Sequence, residues 1–293
     1  MPWRRLHRNG RTRLLALFGL WLWLSAGPVQ ALTVQLLGVA PGSEEFVTAL
    51  KARLGPGHDV VVRSDTAADV VVALHEGMVA EARALQKPLL MLQPHPGSNP
   101  PGPRESVIYW APSLSDQMRL AMQVMPGLRR VGLLVAPHDM ARAQALRSVL
   151  APQRIELIVR QADPSLLPRQ VAELAAQSDL LLAPVDNQLY NRSNLKPVLL
   201  AAYRQHCVFI GPNPAYVRAG ALASLHATPQ TLADNVASAI RSYESEGRWP
   251  PPAQATRFDV ITNSQVARAL GIRLPDADLL TRQMQSEKVV PWP

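Results

Sequence analysis

The stretch from Ser178 to Leu225, SDLLLAPVDNQLYNRSNLKPVLLAAYRQHCVFIGPNPAYVRAGALASL, constrains the fold more than any other part of the chain. Short unbroken apolar runs, Leu180 to Ala183 and Val208 to Ile210, flank a helical segment that begins at Asn194 and carries Pro197 in its first turn. A loop and helix follow, and a third apolar run crosses Gly220, Ala221 and Leu222. Strands apolar on both faces must be covered on both, and strand–helix–strand steps produce parallel pairing. Asp186 and Asn187 then stand at the carboxyl end of a strand, the edge at which open α/β sheets bind ligands.

The same alternation runs through the rest of the chain. Thr33 to Leu37 reads as a strand, Phe46, Leu50 and Leu54 as one face of a helix, and Gly55-Pro56-Gly57 as its stop. Strands at Val60 to Val62, Val70 to Leu74 and Leu89 to Leu92 follow, with a helix from Met78 to Leu85. Five prolines and two glycines between Pro94 and Pro103 predict a surface loop, then a short strand (Val107 to Trp110) and a helix (Leu114 to Met125). A second series begins at Arg130: strand Val131 to Val135, helix Met140 to Leu150, strand Ile155 to Val159 and helix Leu167 to Gln177. Thr228 and Pro229 predict the cap and first position of a helix reaching Glu246, and a last strand (Phe258 to Ile261) and helix (Ser264 to Leu270) close the pattern. Two such blocks predict an α/β chain of two Rossmann-like lobes, each a parallel sheet flanked by helices.

Residues 1–31 read as a secretory signal: five arginines, an apolar run from Leu14 to Leu24, and Val29-Gln30-Ala31 as a cleavage pattern. Eleven apolar residues are too few to span the roughly 30 Å of a bilayer core. Cleavage predicts a mature, periplasmic chain starting at Leu32. The printed charge of +8 contains those five arginines, so the remainder carries 25 basic against 22 acidic residues, or +3. A balance this small gives no case for nucleic-acid binding, which needs a basic stripe. Cys207 is the single cysteine and opens an apolar strand, so it reads as a free, buried, inert thiol.

Enzyme motifs are absent: the sequence holds no G-x-S-x-G, Walker loop, G-x-G-x-x-G or C-x-x-C. His75-Glu76 is followed by Val79 where a zinc-protease helix needs its second histidine, and the other histidines lack ligand spacing, so the sequence points to no metal. What remains is polar groups at strand ends. In the first block these are Ser43, His75, Glu76 and Gln93; in the second, His138 and Asp139, then Asp186, Asn187 and Tyr190, then Asn213 and Tyr216. For Ser43, Asp139 and Asn213 helix capping competes with ligand contact. Asp186, with Asn187 beside it and Tyr190 one turn on, is the stronger ligand candidate. A carboxylate there pairs with an ammonium while helix N–H groups near Ser43 or Gly77 take a carboxylate, a pattern suited to an amino-acid-like zwitterion. Tyr190, Tyr216 and Trp110 offer faces for a planar ligand.

Pro184-Val185-Asp186-Asn187, Gly220-Ala221-Leu222-Ala223, and Asn263 through Ala267, Leu270, Gly271, Ile272 and Pro275 follow one another in a known order. In that order and spacing, from about residue 126 to 280, the chain resembles the ABC-transporter substrate-binding proteins of the type I periplasmic kind. The resemblance implies two lobes hinged about a cleft, three crossings between them, no catalysis and no cofactor. It implies a first lobe of residues 32–115 plus 226–250 and a second of 116–225 plus 251–290. It also implies a small-molecule ligand and, as partner, an inner-membrane ABC permease or a periplasm-facing receptor. The first lobe departs from the family: His75-Glu76-Gly77 and Gln93-Pro94 replace its usual turns. That departure leaves a second expectation open, a sensor or interaction protein with a degenerate cleft.

Overall fold

The computed structural model describes residues 32–62, 67–97 and 99–286, and the expected signal segment lies outside them. The chain opens with strands β1 (Leu32–Leu37), β2 (His58–Val61), β3 (Val70–Ala73), β4 (Leu89–Gln93) and β5 (Glu105–Tyr109), with helices α1 (Glu44–Leu54) and α2 (Val79–Ala84) between them. Helix α3 (Leu114–Val124) leads into β6 (Arg130–Val135), α4 (Met140–Leu150), β7 (Glu156–Gln161), α5 (Leu167–Ala175) and β8 (Leu180–Leu182). Then come α6 (Leu195–Arg204), β9 (Val208–Gly211), α7 (Pro214–Ala219), β10 (Ala223–His226) and the long α8 (Pro229–Glu246). Strands β11 (Ala253–Gln254) and β12 (Asp259–Thr262) and helices α9 (Ser264–Ala269) and α10 (Ala277–Ser286) complete it.

These strands form two six-stranded sheets of matching order, β2-β1-β3-β4-β5-β11 and β7-β6-β8-β9-β10-β12. The first is wholly parallel, and in the second only β12 runs antiparallel, beside β10. Each order reverses once, between β1 and β3 and between β6 and β8, which opens a crevice at the carboxyl ends of those strands. The chain passes between sheets after β5, after β10 and after β11.

Two details depart from the sequence reading. Ala253 and Gln254 pair with Ile108 and Tyr109 on the first sheet, so the third passage lies beyond Gln254. A two-residue strand carries no periodicity that a sequence can show. Leu114 begins α3, which packs on β8, β9 and β10, so residues 114 and 115 travel with the second sheet.

Apolar side chains cover both faces of each sheet. On the first, Phe46, Leu50 and Leu54 of α1 and Val236 and Ile240 of α8 pack on one face, and Val79 and Ala82 of α2 on the other. On the second, α3, α4 and α10 supply Met118, Leu146 and Leu280 to one face. Helices α5 and α6 supply Val171, Leu174 and Leu199 to the other. Gly132 and Gly211 permit the closest approaches there: a Cβ on Gly132 would lie 2.6 Å from Ser178 Oγ, and one on Gly211 would meet the Tyr216 side chain. Thr228 caps α8 by accepting from the Thr231 amide, and Gly247 ends it in the left-handed region.

Cys207 sits under α6 at 2% exposure, and burial, followed by the nearby Asp179 charge, pushes its thiol up to about 12. Thiolate is therefore scarce at neutral pH. Maleimide labelling of the folded protein is expected to be slow at pH 7 and complete only in denaturant; rapid native labelling would show this packing to be wrong.

Candidate functional site

A cavity of about 600 Å³ lies between the sheets, beside the crossing segments. The first sheet contributes Pro94, His95 and Pro96 beyond β4 and Tyr109 at the end of β5. The second contributes Pro184 and Val185 beyond β8, Leu114 and Gln117 of α3, and Arg142 of α4. The crossings close it with Ala111, Pro112 and Ser113 on one strap and Pro252 to Thr256 on the other. Five of these lining residues are prolines, which present flat apolar rings and no N–H.

Most polar groups around this space are already engaged. Ser113 and Asp116 form a capping box at the start of α3, and Gln254 Nε2 donates to Asp116 Oδ2 and to the Ala111 carbonyl, each at 3.1 Å. Arg142 pairs with Asp139 at 3.1 Å; burial lowers the guanidinium pKa and the Asp139 charge opposes that. Gln117 differs. It is 1% exposed, and its Oε1 accepts no hydrogen bond among the described residues.

One side chain ties the lobes together across this space. His95 Nε2 lies 3.1 Å from the Val185 carbonyl and Nδ1 lies 3.4 Å from Arg142 Nη1. Nδ1 also lies 3.0 Å from the Pro96 carbonyl. A proton on Nε2 serves Val185 and lets Nδ1 accept from Arg142, whereas a proton on Nδ1 serves Pro96 instead, so no one neutral tautomer satisfies all three contacts. The proline-rich segment is thus more than the surface loop its composition predicts: its first residues form a wall of the cleft. The signal was its position, directly after the carboxyl end of β4.

None of the eight residues expected to bind ligand lines this cavity. Asp186 Oδ1 accepts from the amides of Gln188 and Leu189 at 2.8 and 2.9 Å, so that oxygen caps a turn. The turn carries Tyr190 back under the sheet, where its hydroxyl donates to the Leu134 carbonyl and its ring packs edge-on against Phe209 and Tyr216. Burial, with Asp186 adding repulsion, raises both phenol pKa values. Tyr190 and Tyr216 are core aromatics that also border a separate depression of about 390 Å³ with Asn187. In the first lobe Ser43 Oγ accepts from the Ala40 amide at 3.3 Å, and His75 packs over Gly38. Glu76 is half-buried at the head of a short 3-10 turn. Gln93 is buried and donates to the Asn99 carbonyl. Trp110 packs on the first core. Asn213 caps α7 by accepting from the Ala215 amide. Asp139, by contrast, makes no cap bond and turns to Arg142.

Two doubly wound sheets of one order, linked by three passages of which two border a cleft, are a specific architecture. The fold is that of the type I periplasmic binding proteins. A ligand-free, open substrate binding protein with adhesive properties from Clostridium difficile matches with a TM-score of 0.67 and 16% identity, over 84% of this chain and 96% of that one. A conserved domain protein from Vibrio cholerae matches at 0.57 and 20%, over 86% and 98%. An ABC domain in complex with L-Trp from Streptococcus pneumonia matches at 0.57 and 14%, also over 86% and 98%. A xylose-binding transcription activator shares the fold as well, so the type I scaffold by itself does not choose a job. No protein-family model and no curated protein matches the sequence. No helix of the described residues is long and apolar enough to cross a membrane.

Two hydrogen bonds of about 0.5–1.5 kcal/mol each are enough to bias a hinge. His95→Ala is expected to enlarge the radius of gyration of the ligand-free protein in small-angle scattering, with secondary structure unchanged. An unchanged radius would show that His95 does not hold the lobes.

Proposed function

We propose that this chain is a solute-binding protein of the periplasm that closes on one small organic molecule in the interlobe cavity and presents it to an inner-membrane ABC permease. The single observation that carries the reading is Gln117: a buried amide oxygen with no partner among the described residues, on the wall of a cavity whose volume suits a small ligand. A ligand N–H or O–H directed at that oxygen removes a cost of about 1–3 kcal/mol. The rest of the wall selects by shape. Proline rings, Tyr109, Leu114 and Val185 favour a flat, largely apolar body. A free sugar is disfavoured, because each hydroxyl needs a partner and most polar groups here are already bonded to one another. An amino-acid-like compound with an aromatic or broad apolar side chain meets both requirements.

One observation favours a second reading. His95 links the lobes without help from a ligand, as a sensor or docking protein with a shut cleft would require.

A thermal screen of aromatic amino acids, heteroaromatic acids and small organic acids separates the two. A ligand at about 100 times its Kd adds roughly 2.7 kcal/mol, which for a chain of this size raises Tm by about 5–10 °C. Gln117→Leu is expected to abolish the shift without lowering the ligand-free Tm, since the variant deletes an unpartnered buried oxygen. If no compound moves the wild-type Tm, the docking reading replaces the transport one.

A further inference from the structure

Beside the apolar cavity, at the switch point of the second sheet, three side chains converge that lie far apart in the sequence. His138 and Asp139 follow β6 and Asp186 follows β8, and one donor atom from each lies within 4.8 Å of the other two. The two carboxylates are each half used. Asp186 spends Oδ1 on the amides of Gln188 and Leu189, and Asp139 spends Oδ1 on Arg142. Their Oδ2 atoms are both buried, and neither accepts a hydrogen bond among the described residues. Asp139 as a whole is only 5% exposed. Two orphaned carboxylate oxygens in one place are costly, and Arg142 offsets only one of the two charges. The His138 ring nitrogen stands 3.8 Å from Asp139 Oδ2 on an otherwise exposed side chain.

We infer that His138, Asp139 and Asp186 form a binding site for one divalent transition-metal ion. One imidazole with two carboxylates suits zinc, manganese or iron, and the absence of thiolate or thioether donors in the cluster disfavours copper(I). Three protein donors leave the remaining coordination positions toward the cleft, where water or an anionic group completes the shell. A +2 ion more than offsets the single negative charge that Arg142 leaves uncompensated, supplies a partner to both Oδ2 atoms, and leaves one positive charge for an anionic group in the shell to balance. This site is separate from the Gln117 wall, and its test does not depend on any organic ligand.

Isothermal titration of the untagged, chelator-treated protein with Zn2+ and with Mn2+ tests it. One saturable Zn2+ site per chain is expected. Asp186→Asn keeps the Oδ1 acceptor that caps the turn and removes the charge; it is expected to weaken Zn2+ binding at least tenfold with Tm nearly unchanged. His138→Ala is expected to weaken it similarly, whereas His206→Asn, at an exposed left-handed position that asparagine tolerates, leaves it unchanged. No saturable binding, or binding that survives both Asp186→Asn and His138→Ala, overturns the assignment.

Discussion

A parallel pair of strands cannot be closed by a tight turn, and every neighbouring pair in the two sheets except β10 with β12 is parallel. Each step must therefore return through a connection across the sheet, and the carboxyl ends of those strands gather on one edge. Both sheets carry the same order, so each has a switch point at that edge. Pro94, Tyr109, Pro184 and Val185, which end or follow β4, β5 and β8, wall the cavity for this reason. Asp139 and Asp186 meet for the same reason, since β6 and β8 are neighbours in the sheet though another strand lies between them in sequence.

The segments that cross between lobes are built differently from the walls. Asp116 is buried yet fully engaged, by the Ser113 amide and hydroxyl and by Gln254 from the returning strap. Asn235 of α8 likewise bonds Thr256 through both its side-chain oxygen and nitrogen. Two crossing segments are thus stitched by side-chain amides at the base of the cleft. His95 makes the cross-lobe contact to Val185 and Arg142 farther along the chain from those straps. A hinge held at its base and latched by one imidazole allows lobe motion at the cost of a few hydrogen bonds.

Much of this architecture was legible in the sequence because burial on both faces writes strands as unbroken apolar runs. Val70 to Ala73, Leu89 to Leu92 and Leu180 to Leu182 are of that kind, and Thr228 with Pro229 marked the start of α8 correctly. The site was legible only as an edge. Which residue on a strand-end turn faces the cleft depends on how the turn closes, and at Asp186 one carboxylate oxygen turns the chain so that Val185 faces the cavity and Tyr190 the core. His95 lies in a segment whose composition says loop, and Gln117 is one of several polar residues on α3. Their importance comes from contacts ninety residues away for His95 and from a missing contact for Gln117, neither of which local pattern contains.

The proposed function requires that the second lobe's α3 and β8 turn and the first lobe's β5 end enclose one small organic molecule. A crystal structure of the protein purified from the cells that make it, without added ligand, tests this most directly. The account predicts density for a flat molecule between Tyr109, Leu114 and Val185, with a donor on Gln117 Oε1. Density in the depression bordered by Asn187, Tyr190 and Tyr216, with the interlobe cavity holding only water, would contradict it.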